Sequence, residues 1–92
     1  MSTVFEQPQA EERWLLCQLD KGMFSDEMAV TYPPQGKWQK SVFVERSAVK
    51  GGAGDVGKVR VVVMRSDGSI IAVLPSPNRD IVYATAEDIS EE

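Results

Sequence analysis

Two apolar runs, Val59-Arg60-Val61-Val62-Val63-Met64 and Ile70-Ile71-Ala72-Val73-Leu74, flank a Ser66-Asp67-Gly68-Ser69 corner. No other feature of the chain restricts its fold as much. Asp-Gly is favoured in two-residue hairpin loops, where both central residues need positive φ; Gly adopts it freely and Asp tolerates it better than most. Placing Ser66 opposite Ser69 fixes the register. Arg65:Ile70, Val63:Ala72 and Val61:Leu74 then share one face, and Met64:Ile71 and Val62:Val73 share the other. Both faces are largely apolar, so the hairpin is expected to be central and covered on both sides.

Around this hairpin the chain carries further short β patterns. Ser41-Val42-Phe43-Val44-Glu45 and Ile81-Val82-Tyr83-Ala84 read as strands, and Glu27 to Tyr32 alternates Met28, Val30 and Tyr32 with Ala29 and Thr31. The segment from Arg13 to Leu19 fits two readings. Its helix formers, with Pro8 before and Gly22 after, suit an N-terminal helix over residues 10–20 in an α+β fold. As a strand it would line Leu15, Cys17 and Leu19 on one face, and it would give the sheet the further member that closes its edge. The strand reading is preferred.

Five short strands joined by tight or Gly-rich connections resemble the SH3-like small-barrel class in pattern over residues 13–89, with no specific motif. The expected fold is therefore all-β, a single small SH3-like barrel or rolled antiparallel sheet of about five strands. Residues 1–12 are expected to be a frayed N-terminal segment, 13–89 one β domain, and 90–92 an acidic tail. Such barrels serve many roles, so the resemblance implies no function.

One internal echo stands out. Val42-Phe43-Val44-Glu45-Arg46-Ser47-Ala48-Val49 and Val82-Tyr83-Ala84-Thr85-Ala86-Glu87-Asp88-Ile89 share a strand, a short polar turn and a branched aliphatic residue. Each fits a strand leaving into one helical turn whose last aliphatic residue plugs the core. Eight residues are too few to set a repeat architecture, and convergent strand-turn chemistry accounts for them as well.

Several chemistries are disfavoured by composition. The chain has 92 residues, room for one modest core and no two-lobed cleft. It has no histidine and a single cysteine, so neither imidazole acid-base work nor a thiolate metal site is expected. Cys17 lies in the apolar run Trp14-Leu15-Leu16-Cys17 and reads as a buried, unreactive thiol. Met23-Phe24-Ser25-Asp26-Glu27-Met28 offers adjacent carboxylates, but neighbours on a strand point to opposite faces. No apolar stretch is long enough to span a membrane and no secretory signal opens the chain, so a cytoplasmic protein without a membrane partner is expected.

Gly52-Ala53-Gly54-Asp55-Val56-Gly57-Lys58 matches the first seven positions of a phosphate-binding loop, yet Val59 stands where a hydroxyl should hold magnesium. The β-branched run that follows suits a strand, not the helix such a loop requires. A flexible connection is expected, with no nucleotide and no cofactor.

The remaining hint is charge. Residues 37–65 hold seven basic and two acidic residues, a local balance of +5 in a chain whose net charge is −4. The favoured function is a non-enzymatic binding or assembly module contacting another protein, as monomer or homodimer, with Tyr32, Trp38 and Phe43 as aromatic anchors. Tyr32-Pro33-Pro34 reads as a loop packed on the core. The alternative is RNA or single-stranded nucleic-acid binding through Lys37, Trp38, Lys40, Arg46, Lys50 and Arg60.

Overall fold

A computed structural model describes residues 10–92. The expectations for residues 1–9 lie outside the described segment. Among the described residues eight strands form one antiparallel sheet: β1 (Glu11–Lys21), β2 (Glu27–Tyr32), β3 (Lys40–Glu45), β4 (Val49–Lys50), β5 (Val56–Ser66), β6 (Ser69–Val73), β7 (Ile81–Ala84) and β8 (Ile89–Ser90). Two 3₁₀ turns, Arg46–Ala48 and Ala86–Asp88, precede β4 and β8. The sheet order is β3-β2-β1-β5-β6-β7, with β4 added to β5 and β8 added to β1. The sheet rolls into a nearly closed, all-β small barrel without a long helix.

Residues 11–20 of that segment are strand, not helix. Burial selects the strand period: Leu15, Cys17 and Leu19 are fully buried, while the residues between them look outward. The ladder with β5 begins at Glu11, opposite Val63. Ser90 likewise pairs with Trp14, and Lys58 Nζ donates to Ser90 Oγ at 3.1 Å, which draws the start of the acidic tail into the barrel.

The central hairpin has the expected register, with Ser66 opposite Ser69, Arg65 opposite Ile70 and Val63 opposite Ala72. Asp67 (φ 51°) and Gly68 (φ 78°) supply the two left-handed residues of the corner. Its expected coverage on both sides is corrected. Val59, Val61, Val63, Ala72 and Leu74 are buried, but Met64, Ile71 and Val73 are half-buried and Val62 is 37% exposed. A barrel has one interior, so one face of each strand packs inward and the other is covered only by its lateral neighbours.

The internal echo extends well beyond those two segments of the described residues. Lys21 pairs with Met28 as Arg65 pairs with Ile70, and Val30 pairs with Val42 as Ala72 pairs with Val82. Each half is a long strand, a hairpin, a third strand, a 3₁₀ turn and a two-residue strand delivered to the other half. Val49 of β4 pairs with Val59, and Ile89 of β8 pairs with Leu15. Leu15 and Val59 face each other, so the pseudo-twofold axis passes through that pair. The expectation of no repeat gives way to two copies of one motif that share a single core.

The loop resembling a phosphate-binding motif leads directly into a strand. Val59 lies within β5, so no helix terminus faces that loop. Its glycine at 57 has a packing reason instead: a Cβ there would lie 2.3 Å from the Lys50 carbonyl oxygen and 2.5 Å from the Leu19 side chain. Gly57→Ala is expected to destabilise the protein by about 1–3 kcal/mol, the usual range for overpacking, read from the midpoint of urea unfolding.

Candidate functional site

The barrel is completed by side chains where its two edge strands approach. Lys40 Nζ at the start of β3 lies 3.3 Å from Asp80 Oδ1, just before β7. Asp80 also accepts from the Ser76 hydroxyl at 2.8 Å, and its own N–H donates to Ser76 Oγ at 3.0 Å. The Ser76 hydrogen bond first, and Lys40 after it, hold the Asp80 carboxyl below its ordinary range. These bonds fix the turn 75–80 beside β3.

Between that turn and the open edge of β3 runs a groove. Phe43 and Val44 line one wall and Pro75 and Pro77 the other, with Asp26 and Glu27 at the end formed by the β1–β2 turn. It continues along β3 past Ser41 to Lys40 and Asn78. Arg46 braces the acidic end from behind: its backbone N–H donates to the Asp26 carbonyl at 2.8 Å and its Nε to the Ser25 carbonyl at 3.2 Å.

The three rings expected as anchors do not form one surface. Phe43 points outward into the groove. Trp38, 89% exposed, stands on the loop 33–39. Tyr32 is buried in the core, where its hydroxyl donates to Asp88 Oδ2 at 2.6 Å and accepts from the Thr85 N–H at 3.3 Å. These bonds tie the end of β2 to the second 3₁₀ turn and so close the barrel. The Tyr32 ring belongs to the core, as the reading of Tyr32-Pro33-Pro34 implied.

The six residues of the nucleic-acid alternative also separate. Lys37 and Trp38 are on the loop 33–39, Lys40 is in the ion pair with Asp80, and Arg46 is held by residues 25 and 26. Only Lys50 and Arg60 share a locality. Both flank Trp14: Arg60 is its cross-strand partner, and Lys50 Nζ lies 4.1 Å from the ring centroid. Lys58 is the partner of Lys50 across β4 and β5.

Trp14, Lys58, Pro75 and Pro77 are functional candidates that sequence reasoning passed over. Trp14 reads there as part of an apolar run; only strand parity turns it outward. Pro75 and Pro77 read as a strand terminator, and no local pattern places them beside Phe43. No grouping of three or more His, Cys, Asp or Glu side chains able to hold a metal ion occurs among the described residues. In the same segment no helix is long and apolar enough to cross a membrane.

No protein-family model matches this chain, and neither the curated proteins nor the solved structures contain a significant match. The groove and the Trp14 cluster must therefore be judged on their own chemistry.

Two buried groups make the fold sensitive to alkali. Burial pushes the Cys17 thiol from 9.0 up to about 12, and burial together with the bond to Asp88 raises the Tyr32 phenol above 10.0. Both pKa values are raised on folding, so their contribution is complete below the unfolded values and is lost as pH rises through the folded ones. Unfolding free energy should fall from about pH 9 upward, and Cys17→Ala should flatten that fall. Thiol-specific reagents should modify Cys17 only at the rate of unfolding. Tyr32→Phe should cost about 1–2 kcal/mol at neutral pH by leaving Asp88 and the Thr85 N–H each one partner short.

Proposed function

We infer that this protein is a non-enzymatic binding module that holds an extended segment of a protein partner in the groove between β3 and the turn 75–80. One observation carries this reading: an apolar floor and wall, Phe43 with Pro75 and Pro77, lie alongside a strand edge that has no ladder partner among the described residues. An extended chain entering there gains backbone hydrogen bonds from the edge and a pocket for alternate side chains. The absence of histidine and the burial of the one thiol support a role that does not depend on catalysis.

The acidic end of the groove, Asp26 and Glu27, favours a segment that places a basic residue there. Trp38 stands at the edge of the same half of the barrel and is the second ring available to a partner. The expected setting is the cytoplasm.

Nucleic-acid binding is retained as the second reading, on a smaller footprint than the sequence implied. Trp14 with Lys50, Lys58 and Arg60 combines a ring with three cations on the outer face. Aromatic stacking beside cations is the chemistry of single-strand recognition.

Peptides selected from a displayed random library should shift the amide resonances of residues 41–45 and 76–80. Phe43→Ala should weaken them about tenfold or more, which is roughly 1.4 kcal/mol, with little response to salt. If oligonucleotides shift Trp14, Lys50 and Arg60 instead, with affinity falling by about 0.7 log units per log unit of salt for each phosphate neutralised, the second reading replaces the first.

A further inference from the structure

The pseudo-twofold axis supplies an internal control for the barrel surface. In the first half the outward residues include Gln18 and Asp20 of β1, Ala29 and Thr31 of β2, and Ser41 and Phe43 of β3. Their counterparts in the second half are Val62, Met64, Ile71, Val73, Ile81 and Tyr83. At these positions the same backbone thus carries mostly polar side chains in one half and apolar ones in the other.

Exposure along the apolar face is graded. Met64, Ile71 and Val73 are half-buried and Val62 is 37% exposed, whereas Ile81 reaches 48% and Tyr83 72%. The most exposed residues are those of the edge strand. What they lack is a lateral neighbour, not a lid.

The β7 edge is able to receive one. The Leu74 N–H donates to the Asp80 carbonyl at 2.8 Å, which sets the alternation of the β6–β7 ladder: Val82 and Ala84 turn their backbone groups toward β6, and Ile81 and Tyr83 turn theirs outward. The outward Thr85 N–H, which meets the Tyr32 hydroxyl, fits that parity. Among the described residues no strand pairs with β7 on its outer side. The two edges also differ in protection. β3 carries charge at both ends, at Lys40 and Glu45, and the turn 75–80 lies along it; the related positions flanking β7 are Asp80 and Thr85, one charged and one not, and the depression beside Tyr83 and Ala84 is lined by its own hairpin and by Thr85 and Ala86.

We propose that β7 is a homodimer interface, pairing antiparallel with β7 of a second copy of this chain about a twofold axis at Val82. Ile81 then lies opposite Tyr83 of the other copy, and each such pair exchanges both of its backbone hydrogen bonds. Because the contact is isologous, every favourable pair occurs twice. The side chains of Ile81 and Tyr83 become cross-strand neighbours, and the two apolar faces join into one. Charge selects the same orientation. Arg79 precedes β7 and Glu87 follows it, so antiparallel pairing brings the Arg79 end of one copy toward the Glu87 end of the other, and neither has an ion-pair partner among the described residues of its own chain.

Sedimentation equilibrium at tens of micromolar should give twice the 10.2 kDa of the chain. Tyr83→Lys should raise the dimer dissociation constant at least tenfold while leaving the amide spectrum that of a folded barrel. Phe43→Lys, at the symmetry-related position on β3, should leave the dimer unchanged. Arg79→Glu should weaken association, and Arg79→Glu combined with Glu87→Arg should restore it, a recovery that a folding defect would not show. A wild-type chain that sediments as a monomer throughout overturns the proposal. So does a dimer that survives Tyr83→Lys, or one that Phe43→Lys dissociates.

Discussion

The antiparallel ladder between β1 and β5 is the constraint on which the barrel rests. It runs from Glu11:Val63 to Gln18:Val56 and has the fully buried pair Leu15:Val59 near its middle. Four of the other six strands pair directly with one of these two, and β3 and β7 follow through β2 and β6. On its other side β1 takes β8 near its start and β2 near its end, while β5 takes β4 near its start and β6 near its end. A strand with different partners at its two ends must curve, and that curvature rolls the sheet closed. The tight crossing is possible because Gly57 lets the Lys50 carbonyl and the Leu19 side chain approach the backbone.

The two halves share backbone geometry and diverge in side chains wherever the molecule does something besides fold. Tyr32 and Leu74 occupy related positions, and both are buried, but only Tyr32 carries a hydroxyl to bind the opposite 3₁₀ turn. Lys40 and Asp80 are also related positions. Because they bear opposite charges, they can meet across the axis where two identical residues would repel. The same divergence leaves one edge charged and grooved and the other apolar and open. Sequence divergence on a repeated scaffold is therefore the most direct guide to function here.

The candidate sites were only partly legible in the chain. Phe43 was singled out as a large ring in a strand near a loop, and it does line the groove. Tyr32 met the same criterion, but parity turns it inward, because it continues the buried set of Met28 and Val30. The basic run 37–65 reads as one patch in sequence; its members lie on a loop, a seam, a 3₁₀ turn and the outer sheet face, where Asp80, the Ser25 carbonyl and Trp14 engage three of them separately. Linear proximity says little about surface proximity when successive strands reverse direction.

What the sequence determined by itself is local: the Asp67-Gly68 corner, the register it imposes on β5 and β6, the all-β class, and the burial of the lone thiol. These follow from φ/ψ preference and period-2 alternation, which act over a few residues. Tertiary structure decided the rest. It made residues 11–20 a strand, because ladders to β5 and then to β2 give their backbone partners; it turned one apolar hairpin face outward, because a barrel has a single interior; and it brought Pro75 and Pro77 to Phe43. Those outcomes depend on pairings between segments tens of residues apart, and no local preference encodes them.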